Sequence, residues 1–112
     1  MSRTGLWDSH AHLDDEAFNE DREQLIAQLE QDMDGIVNPG CDAASSAVAV
    51  ELAKKYPFIY AAVGWHPENL KGIPADYLQQ LAEWAQHPKV VAIGEIGLDY
   101  YWDKEPEVQA AQ

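Results

Sequence analysis

Two hydrophobic periods alternate along this 112-residue chain, and that alternation restricts the folds open to it more than any single residue does. Leu6 to Asp8 reads as a short strand. Asp21, with Gln24 three residues on, forms a capping-box-like start, and Leu25, Ile26, Leu29 and Met33 continue at helical spacing. "GIVNPG" is a β-branched run closed by Pro39 and Gly40, so a second strand is expected to stop near Asn38. A second helix follows, with Val48, Leu52 and Tyr56 spaced four apart. "FIYAAVGWHP" predicts a third strand, and Pro74 fits a first helical turn ahead of Tyr77, Leu78, Leu81 and Trp84. "VVAIGE" is the fourth strand, and a fourth helix opens near Pro106 with Val108. Such alternation predicts an α/β fold, a parallel sheet covered by helices and either doubly wound or closed as a barrel. An eight-stranded barrel takes ~250 residues. Residues 1–112, read as a single domain, would then hold only the first half of one, β1-α1-β2-α2-β3-α3-β4 and the start of α4.

The polar residues that stand out fall at the C-terminal ends of these strands. In "LWDSHAHLDD", Asp8, His10 and His12 share one face, opposite Trp7, Ser9 and Ala11, if the strand geometry persists that far. Two residues apart is roughly 6.8 Å at Cα, close enough for two imidazoles to converge on an ion ~2.0–2.1 Å from each nitrogen. An isolated His-x-His pair reads as a polar strand end in water; the flanking Asp8, as a ligand or a hydrogen-bonding support for one, favours a metal. In the third strand Tyr60, Ala62, Gly64 and His66 share a face, with Val63 and Trp65 turned outward onto helices, so His66 points into a mouth with only small residues beneath it. Taken by itself, His66 reads first as a hydrogen-bonded loop histidine. Glu95 follows the apolar strand directly, with Gly94 and Gly97 allowing close backbone approach, and a carboxylate buried there needs a partner or a cation. In a flat sheet the first and fourth strands lie on the order of 14 Å apart. Only a curved sheet brings Glu95 to the histidines.

Other features carry simpler readings. Cys41 near the presumed mouth is an incidental thiol, and Asp99 either supports Glu95 or caps a turn. His87 precedes a strand and is set aside. Asp14, Asp15 and Glu16 read as a solvated acidic loop, and Trp7 and Trp84 as packing helices against the sheet. With 7 Lys and Arg against 20 Asp and Glu, the formal charge of −13 repels polyanions at long range, so a polyanionic substrate needs a local positive centre. The single cysteine fits a reducing cytoplasmic compartment, and neither a signal-peptide pattern nor an apolar run of membrane-spanning length is seen, so no membrane partner is expected.

"DSHAHLD", "GWHPENL" and "AIGEIGLDYYWD", in this order, closely resemble the N-terminal half of the TatD family of metal-dependent hydrolases. The resemblance covers essentially the whole chain. It implies the first half of a (β/α)8 TIM-type barrel of the metal-dependent hydrolase (amidohydrolase-like) superfamily, a binuclear centre of two divalent ions (zinc, manganese, magnesium or cobalt), and phosphodiesterase activity of the deoxyribonuclease kind on DNA or another phosphodiester. Carried over by position, it implies that His10 and His12 bind one metal, that Glu95 bridges both, and that His66 lines the substrate site. The family completes its centre with two later histidines and an aspartate base from the last strand, none of which has a counterpart in this sequence. No catalytic base is therefore assigned within the chain, and the 112 residues alone are expected to bind metal weakly and to hydrolyse nothing. Two other readings stay open: a related barrel hydrolase of a small ester or amide, and a non-catalytic half-barrel that self-associates through open strand edges.

Overall fold

A computed structural model describes residues 5–112. Strand and helix alternate as β1 (Trp7–Asp8), α1 (Arg22–Asp32), β2 (Gly35–Pro39), α2 (Ala43–Lys55), β3 (Ile59–Val63), α3 (Tyr77–Ala85), β4 (Val90–Ile93) and α4 (Pro106–Ala111). The four strands lie in the order β1-β2-β3-β4, and every pairing is parallel. Consecutive strands joined by helical crossovers, each beside the last, make up four β/α units of a TIM-type barrel. No helix among the described residues is long and apolar enough to cross a membrane.

The core lies between the sheet and its helices. Ile36 of β2 and Ile59, Ala61 and Val63 of β3 are almost fully buried against Ala49, Val50, Leu52 and Ala53 of α2 and Ile26 of α1. A second cluster joins Trp65, just past β3, to Leu70 and Val108, with Tyr77, Leu81 and Trp84 of α3 packed against it. The expected split of the third strand thus holds, with Val63 and Trp65 facing the helices. On β4, Val91 and Ile93 stay about half exposed (53% and 49%), as does Trp7 on β1 (56%), so apolar side chains remain uncovered at both open edges.

Several local expectations change. The capping box expected at Asp21 does not form, because the Asp21 side chain makes no cap and the Leu25 N–H bonds to the Asp21 carbonyl. The capping box is at α2 instead: Asp42 Oδ1 accepts the Ser45 N–H at 2.8 Å, and Ser45 Oγ accepts the Asp42 N–H at 3.1 Å. The apolar stripe of α2 is also rotated. Val48 is exposed, while Ser46, Ala49, Val50, Leu52 and Ala53 face inward, their mostly small side chains letting the helix lie close on β3. β2 runs on through Pro39, one residue beyond the expected stop. Pro74 precedes α3 instead of opening it; the helix begins at Tyr77, whose N–H bonds to the Pro74 carbonyl. Trp7 meets no helix: its ring lies 5.5 Å from that of Tyr60, on the sheet face that helices leave open. Two single 3-10 turns, Glu16–Phe18 and Pro67–Asn69, were not anticipated.

Candidate metal centre

The strand β1 stops at Asp8, and a bend just beyond it decides where the histidines go. Asp8 pairs with Ile36 in register, so it lies on the helix-facing side of the sheet, and Trp7 takes the other side. Straight alternation, with Asp8, His10 and His12 on one face as expected, would therefore carry both histidines toward the helices. The bend, at Ser9 and His10, corrects their direction. Asp8 Oδ1 accepts the His10 N–H at 3.0 Å within it, and the Ala11 N–H then donates to the Val37 carbonyl at 3.1 Å. The two rings flank that tie, nearly perpendicular at 82°, with their Nε2 atoms 3.1 Å apart.

Glu95 arrives from the other edge of the sheet. The Gly94 N–H donates to the Val63 carbonyl at 2.9 Å and the Glu95 N–H to the Gly40 carbonyl at 2.7 Å, so its backbone is fixed across the ends of β3 and β2. The glycine that permits this is Gly64, where a Cβ would stand 2.8 Å from the Glu95 carbonyl oxygen. Gly94 does not have that role, since a Cβ there would meet only Ala62 at an ordinary 3.8 Å, and Gly97 is required by its φ of +150° and not by a close neighbour.

His10, His12 and Glu95 are thereby brought together. Glu95 Oε2 lies 3.2 Å from His12 Nε2 and 3.7 Å from His10 Nε2. A point roughly 2 Å from all three atoms exists in or just off their plane, and ~2.0–2.2 Å is the bond length of zinc to imidazole nitrogen and carboxylate oxygen. The triangle fits one divalent ion without moving a side chain. Among the described residues this is the group of histidine, cysteine and acidic side chains that could hold a metal.

His66 sits beside it. The Glu68 N–H donates to His66 Nδ1 at 3.1 Å as the ring caps the Pro67–Asn69 turn, and His66 Nε2 faces Glu95 Oε1, the other carboxylate oxygen, at 3.9 Å. A hollow of about 350 Å³ opens here, walled by His12, Asp14, Cys41, His66, Asn69 and Glu95 among others. A larger hollow of about 460 Å³ lies beside the start of α1, but no such convergence of ligand atoms marks it. Burial pushes the Cys41 thiol above its ordinary value, the hydrogen bond between Cys41 and Ser45 opposes this, and the charges of Asp42, Glu95 and Asp14 push it further up. A thiol held neutral is a poor nucleophile.

The remaining carboxylates and histidine take other roles. Asp8 braces the bend through a backbone N–H and not through an imidazole. Asp99 Oδ1 accepts the N–H groups of Tyr101 (2.8 Å) and Trp102 (3.3 Å), so of its two expected roles it takes the turn cap, and it makes no hydrogen bond to Glu95. His87 accepts the Lys89 N–H ahead of β4. Asp14 is not a freely solvated loop residue: its side chain is only 13% exposed, Asn38 Nδ2 donates to its Oδ1 at 3.1 Å, and the same oxygen stands 3.7 Å from His12 Nδ1. The missed signal was Asn38, an amide inside an apolar strand.

Residues 7–112 match the sequence model of the TatD related DNase family. The chain belongs to that family. Among its relatives, an uncharacterized metal-dependent hydrolase of Bacillus subtilis, YabD, is 43% identical over 103 residues, covering 91% of this chain and 40% of its own length. A 3'-5' ssDNA/RNA exonuclease TatD of Pectobacterium parmentieri is 34% identical over 97 residues, covering 85% and 37%. The crystal structure of YjjV, a TatD homologue from Escherichia coli K12, superposes with a TM-score of 0.79 at 33% identity, covering 94% of this chain and 41% of that one. The chain therefore spans about 40% of the length of these relatives.

Proposed function

We propose that the whole protein is a metal-dependent hydrolase of phosphodiester bonds in nucleic acid, and that this chain supplies the first part of its binuclear centre. The observation that carries the proposal is the convergence of His10, His12 and Glu95 on one point of ion-binding size. The relatives' names, a metal-dependent hydrolase and a single-strand exonuclease, supply the reaction and the substrate class. His10, His12 and Glu95 are the residues of this chain that would hold an ion, and the Glu95 carboxylate, with one oxygen toward the histidine pair and the other toward His66, would be free to serve a second. Imidazole favours zinc or cobalt, and carboxylate accepts manganese or magnesium equally. Bound divalent ions supply a Lewis acid for a phosphoryl oxygen and make water a nucleophile at neutral pH.

The wall of the hollow argues for the same reading. It carries the carboxylates of Asp14, Asp15, Glu68 and Glu95 and neither lysine nor arginine, so an anionic substrate is held there only against bound cations. His66 contributes on the protein's side. Because its Nδ1 accepts the Glu68 N–H, its ring proton is on Nε2, where it donates to a substrate phosphate oxygen. No residue of this chain is assigned as the base. The lone cysteine favours a reducing cytoplasm as the compartment.

The test is hydrolysis of an end-labelled single-stranded oligonucleotide by the whole protein with added Mn²⁺ or Zn²⁺. Cleavage abolished by chelator and reduced at least about a hundredfold in His12→Ala and Glu95→Gln is the expected result. Hydrolysis of small esters or amides with none of the oligonucleotide would replace this reading by the alternative barrel hydrolase.

A further inference from the structure

Asn38 is the most deeply buried amide in the sheet, with no exposed surface, at the tip of a strand that otherwise faces an apolar core. A polar group in that position is costly unless its hydrogen bonds are satisfied, and a satisfied buried network rigidifies what it joins. Its bonds lead chiefly to the segment that carries the metal ligands. Asn38 Oδ1 accepts the Leu13 N–H at 2.7 Å, and Nδ2 donates to Asp14 Oδ1 at 3.1 Å. From the opposite side, Arg22 of α1 donates to the carbonyls of Leu13 (2.6 Å), Asp14 (3.2 Å) and Asp15 (2.8 Å). Residues 13–15 are thus clamped between β2 and α1. Asp14 is the side chain they present to His12.

We propose that Asn38 and Asp14 form a positioning relay that fixes the orientation of the His12 imidazole, with Nδ1 turned to the Asp14 carboxylate and Nε2 to the ion site. The inference rests on the metal-centre reading above and adds the residues that orient one ligand. Asp14 Oδ1 faces Nδ1 at 3.7 Å, while Nε2 of the same ring faces Glu95 Oε2 at 3.2 Å, so the ring stands edge-on between the two carboxylates with Nε2 on the side of the ion site. A metal-binding histidine commonly has its other ring nitrogen turned to a carboxylate, which sets tautomer and ring orientation together. Asn38 keeps the Asp14 carboxylate from turning into solvent. Asn38 and Asp14 are positioning residues, touching neither ion nor substrate.

The test is the crystal structure of the chelator-treated whole protein and of its Asp14→Ala variant, followed by calorimetric titration of both with Zn²⁺. The expected result is a His12 ring with Nδ1 toward Asp14 and Nε2 toward Glu95 in the unaltered protein, with Asp14→Ala turning or disordering the ring and weakening Zn²⁺ binding on the order of 10–100-fold. Asp14→Asn keeps an acceptor oxygen of the same shape and should recover most of both, and it keeps the relay testable should Asp14→Ala fail to fold. A His12 ring turned away from Asp14 in the unaltered protein overturns the proposal. So does an Asp14→Ala variant with ring orientation and Zn²⁺ affinity unchanged. If the ring responds as expected but Zn²⁺ does not bind the unaltered protein, the metal-centre reading falls and the relay stands. If Zn²⁺ binding depends on His12 but is indifferent to Asp14, the relay falls alone.

Discussion

At the scale of single residues, the site separates groups that are chemically available from one that is not. His10 is more than half exposed and the Glu95 side chain about one-fifth, so an ion reaches them without a conformational change. Cys41 lines the same hollow, but its raised pKa keeps it a neutral thiol at neutral pH. Iodoacetamide at pH 8 should therefore label Cys41 in the folded whole protein several-fold more slowly than in urea, as read by mass spectrometry of the Cys41 peptide. Labelling faster than in urea would mean an activated thiolate. The histidine pair and Glu95 were legible in the sequence because each closes an apolar run at the same end of a strand. Asp14 was not, since its partners Asn38 and Arg22 come from other elements, and nothing in an acidic run shows which carboxylate turns inward.

At the scale of elements, caps and faces decide what sequence periodicity shows. Asp42 closes a two-way capping box at α2, whereas Asp21 makes no side-chain bond at α1. Asp42→Ala should cost about 1 kcal/mol in urea unfolding of the whole protein, and Asp21→Ala only a few tenths. Equal costs would contradict the cap assignment. The order of strands and helices was readable because β-branched runs and helical spacings alternate cleanly. The inward face of α2 was not, because alanine and serine carry little hydrophobic signal yet are what a helix lying tight on β3 requires. The bend after Asp8 was equally hidden: a two-residue strand leaves its direction to hydrogen bonds with β2 that a linear pattern does not display.

At the scale of the molecule, everything turns on curvature. A flat sheet would hold the ends of β1 and β4 on the order of 14 Å apart, but the Glu95 carboxylate lies 3.2 Å from His12, so the four strands bend toward one another as barrel strands do. The two edge strands, β1 and β4, leave Trp7, Val91 and Ile93 uncovered, and the Bacillus subtilis relative is about two and a half times as long as the matched segment. The central claim, that the three side chains share one cation, is tested most directly by an anomalous difference map at the zinc edge from crystals of the whole protein soaked in Zn²⁺. A peak ~2.0–2.2 Å from His10 Nε2, His12 Nε2 and Glu95 Oε2 is the predicted result. Zinc bound only elsewhere, with these three side chains still within reach of one another and no peak between them, would contradict it.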